Sequence, residues 1–331
     1  MISSGLSIDS PKISVVLCSF NCEKYIAEQL ESIGAQSRKP YEIIISDDGS
    51  SDKTLAVIQD AVKNFDFTTN VYVNDVRRGV VSNFGSALSR CSGDYIALSD
   101  HDDIWEENKL ETVATAIEER KSDVPTLYHA DPLIIGSHGK VNSGSFMSES
   151  RITYPQPGEE WARLAFANYI PGCTMIFDAK MLPAVLPFPG QTIMHDWWIA
   201  LIFSLAGNVS RLPHHLMRYR LHDSNTMGVN TVSRSFNLGK SVGFSSVAVS
   251  NLAASLSQAH SARQRLDQLG LAYPDALTDL LRLPDLSWWQ RPWRLLRCHA
   301  SRGNPFRFAS TVYASLVLDK EIYNRGSFDY R

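Results

Sequence analysis

The stretch that decides the fold is residues 95–105, which read YIALSDHDDIW. A short apolar run at 95–98, typical of a buried strand, leads into three carboxylates: Asp100, Asp102 and Asp103. Carboxylates crowded at the end of a strand repel one another unless a cation offsets their charge. A D-x-D pair suits Mg²⁺ or Mn²⁺, which prefer oxygen ligands and keep positions open for phosphate oxygens. The stretch therefore predicts a metal site for a diphosphate; the alternatives are a solvated loop or a helix N-cap, a role that Asp103 fits.

Strand and helix patterns alternate upstream of this stretch. They predict strands at 13–18, 41–45 and 71–73, and helices at 23–33, 52–62 and 81–89. Strands joined by helices of this length form parallel βαβ units with right-handed crossovers. A polar cluster follows each of the four strands, at 19–21, 47–50, 74–75 and 100–103. The clusters are therefore predicted to meet at the carboxyl edge of one open sheet, where α/β proteins bind ligands.

The patterns downstream of residue 103 are more varied. They predict a helix at 107–121, a strand at 127–130, a loop or lid at 136–158, a helix at 161–166, a strand at 173–177 and a helix at 196–207. From about residue 229 the sequence changes to Ser-, Ala- and Leu-rich helical patterns. We expect an open, mostly parallel twisted α/β sheet flanked by helices over 1–228, and a helical C-terminal region over 229–331.

Composition narrows the class of protein. The net charge of −3 and the pI near 6.3 argue against a broad nucleic-acid-binding surface. The polar N-terminus shows no signal sequence, and the longest apolar run, 197–207, is shorter than the roughly 20 residues that span a bilayer. The five cysteines lack zinc-type spacing, which is typical of reduced thiols. These features predict a cytoplasmic protein.

Several polar residues near the predicted edge have two open interpretations. Asp47 and Asp48 either accept hydrogen bonds from a nucleobase or ribose, or they form a turn. Asn74 and Arg78 either contact a nucleotide or belong to a surface loop. The N-cap of the helix at 52–62 is predicted among residues 50–52, which read SSD.

Two later motifs have open interpretations as well. Asp196, in HDWW at 195–198, either caps a helix or acts as a base, since a capping carboxylate keeps one oxygen free. In the stretch YRLHDSN at 219–225, His222 either completes a metal site or is polar surface, and Arg220 is a candidate for pairing with phosphates.

The stretch 288–307 mixes tryptophan and arginine. It predicts either an interfacial helix on an anionic bilayer or a packed helix with a basic outer side.

Competing enzyme classes lack their motifs. A nicotinamide dehydrogenase requires G-x-G-x-x-G after the first strand, where residues 18–22 read CSFNC. The phosphate-binding loop G-x-x-x-x-G-K-[ST] is absent from the sequence as well. A metal-dependent phosphohydrolase stays open from the carboxylates alone.

Taken together, the motifs resemble a known family. ISVVLCSFN at 13–21, DDGSSD at 47–52 and DHDDIW at 100–105 resemble the inverting family 2 glycosyltransferases, which have the GT-A fold. HDWW at 195–198 and YRLHDSN at 219–225 resemble the bacterial branch that builds O-antigen and capsule sugars, including rhamnosyltransferases. The resemblance covers about residues 12–228. A non-catalytic sugar-nucleotide-binding subunit of an envelope assembly complex stays open as an alternative to an enzyme.

The resemblance implies a role for each matching position. The nucleotide pocket would be formed by Ser19, Asn21, Asp47, Asp48, Asn74 and Arg78. The metal, Mg²⁺ or Mn²⁺, would be held by Asp100, Asp102 and His222, with Asp102 as a direct ligand. Asp196 would be the general base, although His195 stands where the family often has Glu.

The resemblance also implies a reaction. A sugar would pass with inversion from dTDP-rhamnose or from a UDP- or GDP-sugar to a glycan acceptor of bacterial surface polysaccharide. That acceptor would be carried on a lipid at the inner face of the cytoplasmic membrane.

Overall fold

A computed structural model describes residues 10–150, 152–222, 244–297 and 311–316. The chain divides into two compact units. The first comprises Met1–Leu133, Gly172–Leu182 and Ser210–Arg220, and the second comprises Ile134–Pro171, Pro183–Val209 and Leu221–Arg331.

A seven-stranded sheet forms the centre of the first unit. Its strands are β1 (Ile13–Ser19), β2 (Glu42–Asp47), β3 (Thr68–Val73), β4 (Tyr95–Ser99), β6 (Thr126–Ala130), β9 (Ile176–Asp178) and β10 (Asn208–Leu212). Their order is β10-β6-β9-β4-β1-β2-β3. Strands β1 to β4 are parallel, whereas β9 runs antiparallel to both β4 and β6. A short antiparallel pair joins β5 (Ile104–Trp105) to β11 (Met217–Arg220).

Four helices connect these strands: α1 (Ile26–Gly34), α2 (Thr54–Ala61), α3 (Val80–Leu88) and α4 (Lys109–Glu118). Three-residue 3₁₀ turns occur at Val62–Asn64, Gly172–Thr174 and Ala179–Met181. Apolar positions at helical spacing explain how these helices pack; α1, for example, buries Ile26, Leu30 and Ile33. Every residue of β1, β2 and β4 is buried, as expected for strands covered on both faces.

The predicted mostly parallel α/β sheet with flanking helices is confirmed. The register aligns the strand ends, because Ser19 lies beside Asp47 and Asp47 beside Val73. The polar clusters after β1, β2 and β3 therefore meet at the carboxyl edge, and the cluster after β4 follows a strand that is parallel to β1.

Several local predictions are wrong. The N-cap of α2 is Lys53, outside the predicted residues 50–52. Asp103 caps no helix, since α4 begins at Lys109 after Asn108. The strand predicted at 173–177 begins only at Ile176, because the chain first makes the 3₁₀ turn Gly172–Thr174.

The described part of the second unit is mostly helical. Its helices are α5 (Phe146–Glu149), α6 (Glu160–Leu164), α7 (Leu182–Val185), α8 (His195–Ala206), α9 (Phe244–Leu269), α10 (Asp275–Leu281) and α11 (Arg291–Arg297), with a 3₁₀ turn at Leu283–Asp285. Two strands, β7 (Leu133–Ile135) and β8 (Val141–Ser145), precede α5. The loop predicted at 136–158 therefore contains regular structure. Helix α8 packs against α6 and α9, and the Trp197 Nε1 donates to the Leu164 main-chain oxygen at 2.5 Å.

The helical C-terminal region is confirmed by α9 to α11 and by helical residues 311–316. The domain boundary predicted at 228/229 lies outside the described residues. No helix within the described ranges is both long and apolar enough to cross a membrane.

Candidate nucleotide and metal site

Asp47 joins the ends of β1 and β2 at the carboxyl edge. Its carboxylate is fully buried; Oδ2 accepts from Ser19 Oγ at 2.8 Å and from Ser50 Oγ at 2.6 Å, and Oδ1 accepts from the Ser50 N–H at 2.7 Å. A buried carboxylate needs such donors because burial removes its water. Asp47 thus fixes the loop after β2.

Asp48 fixes the next loop in the same way. Its Oδ1 accepts from Asn74 Nδ2 at 2.9 Å and from the Arg78 N–H at 2.8 Å, and its Oδ2 accepts from the Gly79 N–H at 2.8 Å. Gly79 has φ of 82°, a left-handed conformation that glycine adopts without strain. Three N–H groups on one carboxylate hold the turn between β3 and α3 against β2.

Asn21 links the loops after β1 and β2. It has φ of 45°, which asparagine tolerates better than most residues, and its Oδ1 accepts from the Ser51 N–H at 2.9 Å. Its own N–H donates to Ser50 Oγ at 2.9 Å. All six residues predicted for the nucleotide pocket therefore lie at the ends of β1, β2 and β3. The side chain of Arg78 is exposed.

The acidic cluster after β4 has a buried inner part. Ligand atoms of Asp100, Asp103 and Cys173 all lie within 4.8 Å of one another, and this group does not include Asp102. Asp102 is itself buried, and its Oδ2 is 4.0 Å from His101 Nε2. Burial raises the pKa of Asp103 well above its usual range, and the nearby charges of Asp102 and Asp100 raise it further.

These residues fit a divalent cation. Asp103 Oδ1 accepts from the Arg220 N–H at 3.0 Å, and the Cys173 thiol also hydrogen-bonds this carboxylate. The buried Oδ2 accepts from no N–H or O–H group in the described part of the chain. A buried carboxylate oxygen of this kind is stabilised by a positive charge. Carboxylate oxygens are also the ligands that Mg²⁺ and Mn²⁺ prefer.

Arg220 is predicted to pair with phosphates, but its side chain is buried and donates to acceptors of the protein. Its Nε donates to the Asp102 main-chain oxygen at 2.7 Å, and its guanidinium also donates to Glu28 Oε2 at 2.5 Å. The guanidinium carbon lies 4.8 Å from the ring centre of Tyr25. Only 1% of Arg220 is exposed.

Lys109 is a buried neighbour of this cluster that the sequence patterns did not reveal. Its Nζ donates to the Cys173 main-chain oxygen at 2.8 Å and lies 3.8 Å from the ring centre of Trp105. Burial lowers the pKa of Lys109 to about 7. A lysine at the first position of an otherwise amphipathic helix gives no sequence signal that it points inward.

Asp196 and His222 belong to the second unit. The N-cap of α8 is Met194, so Asp196 is not the capping residue and lies in the first helical turn, where its Oδ1 accepts from the Trp197 N–H at 2.6 Å. Burial lowers the pKa of His195 to about 3, which leaves this imidazole neutral near pH 7. His222 is half-buried and follows Arg220 by two residues. The roles of Asp196 as base and His222 as metal ligand stay predictions.

Solved structures define the class of fold. The chain is similar to S. aureus TarS 1-349 in complex with UDP, with 18% identity, 97% of this chain and 93% of that chain covered, and a TM-score of 0.53. It is also similar to the mannosyltransferase PcManGT from Pyrobaculum calidifontis in complex with GDP-Man and Mn²⁺, with 16% identity, coverage of 97% and 88%, and a TM-score of 0.55. The fold is therefore GT-A-like.

Sequence comparisons add a family match and similar proteins. Residues 14–144 match the family Glycosyl transferase family 2. One relative is the Escherichia coli UDP-Glc:alpha-D-GlcNAc-diphosphoundecaprenol beta-1,3-glucosyltransferase WfgD, 28% identical over 66% of this chain and 80% of its own length. The chain spans about three fifths (59%) of the length of its mycobacterial relatives.

Proposed function

We propose that the chain is a metal-dependent inverting glycosyltransferase that transfers a hexose from a nucleoside diphosphate sugar to a hydroxyl of a bacterial surface glycan. The observation that carries the proposal is the meeting of two features at one sheet edge: the Asp47–Asp48 hydrogen-bond network and the acidic cluster after β4. Both lie in the segment that matches the family.

The names of relatives support a UDP- or GDP-sugar as donor. TarS was solved with UDP and with UDP-GlcNAc, PcManGT with GDP-Man and Mn²⁺, and WfgD is named for UDP-Glc. None of these names includes the dTDP-rhamnose that the motif style suggests, so that donor is one arm of the test below.

The network at the ends of β1, β2 and β3 would hold the nucleotide. The carboxylate oxygens of Asp47 and Asp48 accept hydrogen bonds from main-chain N–H groups and from the side chains of Ser19, Ser50 and Asn74. We therefore assign them to shaping the loops that surround the base and ribose. Asn21 and the exposed Arg78 side chain complete this pocket.

Asp100, Asp102 and Asp103 would hold Mg²⁺ or Mn²⁺, with His222 as a proposed further ligand. When bound, the ion supplies positive charge that offsets the charge developing on the leaving diphosphate. The raised pKa of Asp103 indicates that negative charge is unfavourable in this buried cluster unless a cation offsets it.

Asp196 would act as the general base. Its carboxylate takes the proton of the acceptor hydroxyl while that oxygen bonds to the anomeric carbon and the bond from this carbon to the diphosphate oxygen breaks. One such displacement inverts the anomeric centre. The neutral His195 beside Asp196 adds no positive charge that would weaken the base.

The first test is a thermal-shift screen of UDP-, GDP- and dTDP-sugars with and without Mn²⁺. A ligand at 100 times its Kd should stabilise the protein by about 2.7 kcal/mol. We expect one base to be preferred and the shift to require Mn²⁺. No shift with any donor would reject the nucleotide site.

The second test compares D102N and D196N in turnover and in donor binding. D102N should weaken both, whereas D196N should lower turnover by about 10²–10⁴-fold with donor binding kept. Turnover of D196N near that of the wild type would reject the base. Product analysis separates the alternatives: free sugar or phosphate would indicate a phosphohydrolase, and binding without transfer would indicate a non-catalytic subunit.

We also propose that the enzyme works at the inner face of the cytoplasmic membrane, on a lipid-linked glycan. Trp288, Trp289 and Trp293 are 65%, 57% and 69% exposed at and just before α11. Tryptophan favours the interface between lipid and water, and the stretch 288–307 carries five arginines and no acidic residue. Residues 298–307 of this stretch lie outside the described residues.

A further inference from the structure

We propose that Arg220 is a positioning residue that holds the metal-binding segment 100–103 in place and does not contact the donor diphosphate. This inference rests on the proposed function, because the segment is the one assigned to the metal. It assigns to Arg220 a role different from the phosphate contact that the sequence predicts.

The contacts of Arg220 tie three elements together. Its main-chain N–H donates to Asp103 Oδ1 and its Nε donates to the Asp102 main-chain oxygen, so one residue of β11 holds two neighbouring residues of the acidic segment. The far end of the guanidinium donates to Glu28 in α1 and lies over the ring of Tyr25. With 1% exposure, the guanidinium has its planar donors directed at protein acceptors.

Polar side chains of α1, and one just after it, hold Asp103 and the residues that follow it. The Gln29 amide, oriented by its neighbours, donates to the Asp103 main-chain oxygen at 2.6 Å and accepts from Trp105 Nε1 at 3.1 Å. Ser32 Oγ accepts from the Trp105 N–H at 3.0 Å, and Gln36 Nε2 donates to the Glu106 main-chain oxygen at 2.8 Å.

Glu28, Gln29 and Ser32 of α1, with Gln36 just after the helix, therefore form a polar stripe. Together with Arg220 it contacts residues 102–106 directly or through the guanidinium. The stripe interrupts a helix whose remaining buried positions are apolar. Such groups outside the ligand set orient metal ligands, and their loss typically weakens metal binding about 10–100-fold.

The chemistry of arginine fits this task. A guanidinium offers several donors in a fixed plane, so it can bond the Asp102 oxygen and the Glu28 carboxylate together. A lysine at this position would keep the charge but not the fixed plane of donors. R220K should therefore recover part of the loss that R220M causes.

The test compares R220M and R220K with R218M. Arg218 lies on the same strand and pairs with Glu106 at 2.7 Å, which makes R218M a matched control. The first readout is amide hydrogen exchange of residues 100–103 without any ligand, where we expect R220M to exchange about tenfold faster and R218M to match the wild type. This readout needs no transfer activity, so it stands apart from a failure of the proposed function.

The second readout separates positioning from phosphate binding. The Kd for Mn²⁺ should rise about 10–100-fold in R220M and less in R220K. It is measured with UDP present, from the electron paramagnetic resonance signal of free Mn²⁺. The Kd for UDP in EDTA should stay unchanged. Weaker UDP binding in EDTA, or wild-type exchange of residues 100–103 in R220M, would overturn the proposal.

A second variant covers the case in which R220M does not fold. E28Q removes the negative charge that pairs with the guanidinium but keeps an oxygen that can accept from it, and Glu28 is 53% exposed at its side chain, so the helix tolerates the change. E28Q should shift exchange and Mn²⁺ affinity in the same direction by a smaller factor, whereas no shift in either would contradict the proposal.

Discussion

At the scale of single residues, Asp48 should be a strong determinant of stability. D48N keeps the size of the side chain but directs an NH₂ group at donors from Asn74, Arg78 and Gly79. Leaving buried N–H groups without an acceptor should lower the free energy of unfolding by about 2 kcal/mol. Urea unfolding measures this change.

The control for D48N is D60N. Asp60 is an exposed residue of α2 that pairs with a surface lysine, Lys63, at 3.1 Å. Its substitution should change stability by less than about 0.5 kcal/mol. Equal effects of the two variants would show that the Asp48 network does not hold the loop after β3.

The same scale shows what sequence reasoning could and could not predict. Asp47, Asp48 and Asn74 were placed at one edge correctly, because each follows a strand and parallel strands end together. The partners of Arg220 could not be predicted, since Glu28 is 192 residues away in the chain and only packing brings them together. A buried guanidinium and a phosphate-binding one have the same sequence signature.

At the scale of secondary-structure elements, buried imidazoles should make the strand β6 sensitive to acid. Burial lowers the pKa of His129, in β6, to about 3. Because the unfolded pKa is near 6.5, acid protonates the unfolded chain first. The stability that the neutral imidazole contributes is complete above pH 6.5 and is lost as the pH falls towards 3.

The variant H129Q removes this titration. Between pH 6.5 and 5 the free energy of unfolding of H129Q should fall less steeply than that of the wild type. The difference between the two slopes approaches about 1.4 kcal/mol per pH unit at the lower pH. Urea unfolding at several pH values measures the slope, and the exposed H214Q serves as a control for loss of a surface imidazole. Identical slopes for H129Q and the wild type would refute the neutral buried state.

Strands were easier to predict than the starts of helices, for a physical reason. Burial on both faces imposes an apolar run on β1, β2 and β4, and this run is visible in the sequence. The starts of α2 and α4 carry no side-chain cap, so the Ser and Asp residues ahead of them gave the wrong boundary. Asp52 accepts from the Thr54 N–H, and Asp103 accepts from the Arg220 N–H.

At the scale of the whole molecule, charge is distributed unevenly along the chain. The protein has 32 Lys and Arg against 35 Asp and Glu, yet the stretch 288–307 holds five of the basic residues and none of the acidic ones. A protein of net charge −3 is repelled by an anionic bilayer unless such a stretch faces it. Each arginine near the lipid surface adds about 1 kcal/mol of attraction.

This distribution predicts salt-sensitive binding to vesicles that contain an anionic lipid, and none to vesicles of neutral lipid alone. Raising the salt from about 0.1 M to about 1 M, which shortens the Debye length from about 10 Å to about 3 Å, should release the protein.

Replacing both Trp288 and Trp293 by alanine should weaken binding at low salt, because it removes exposed apolar area that would enter the interface. Y41A, which removes a 43% exposed aromatic ring from the first unit, is the matched control and should bind like the wild type. Cosedimentation with the vesicles measures binding under each of these conditions. Equal binding of the tryptophan variant and Y41A would show that these tryptophans do not contact the lipid.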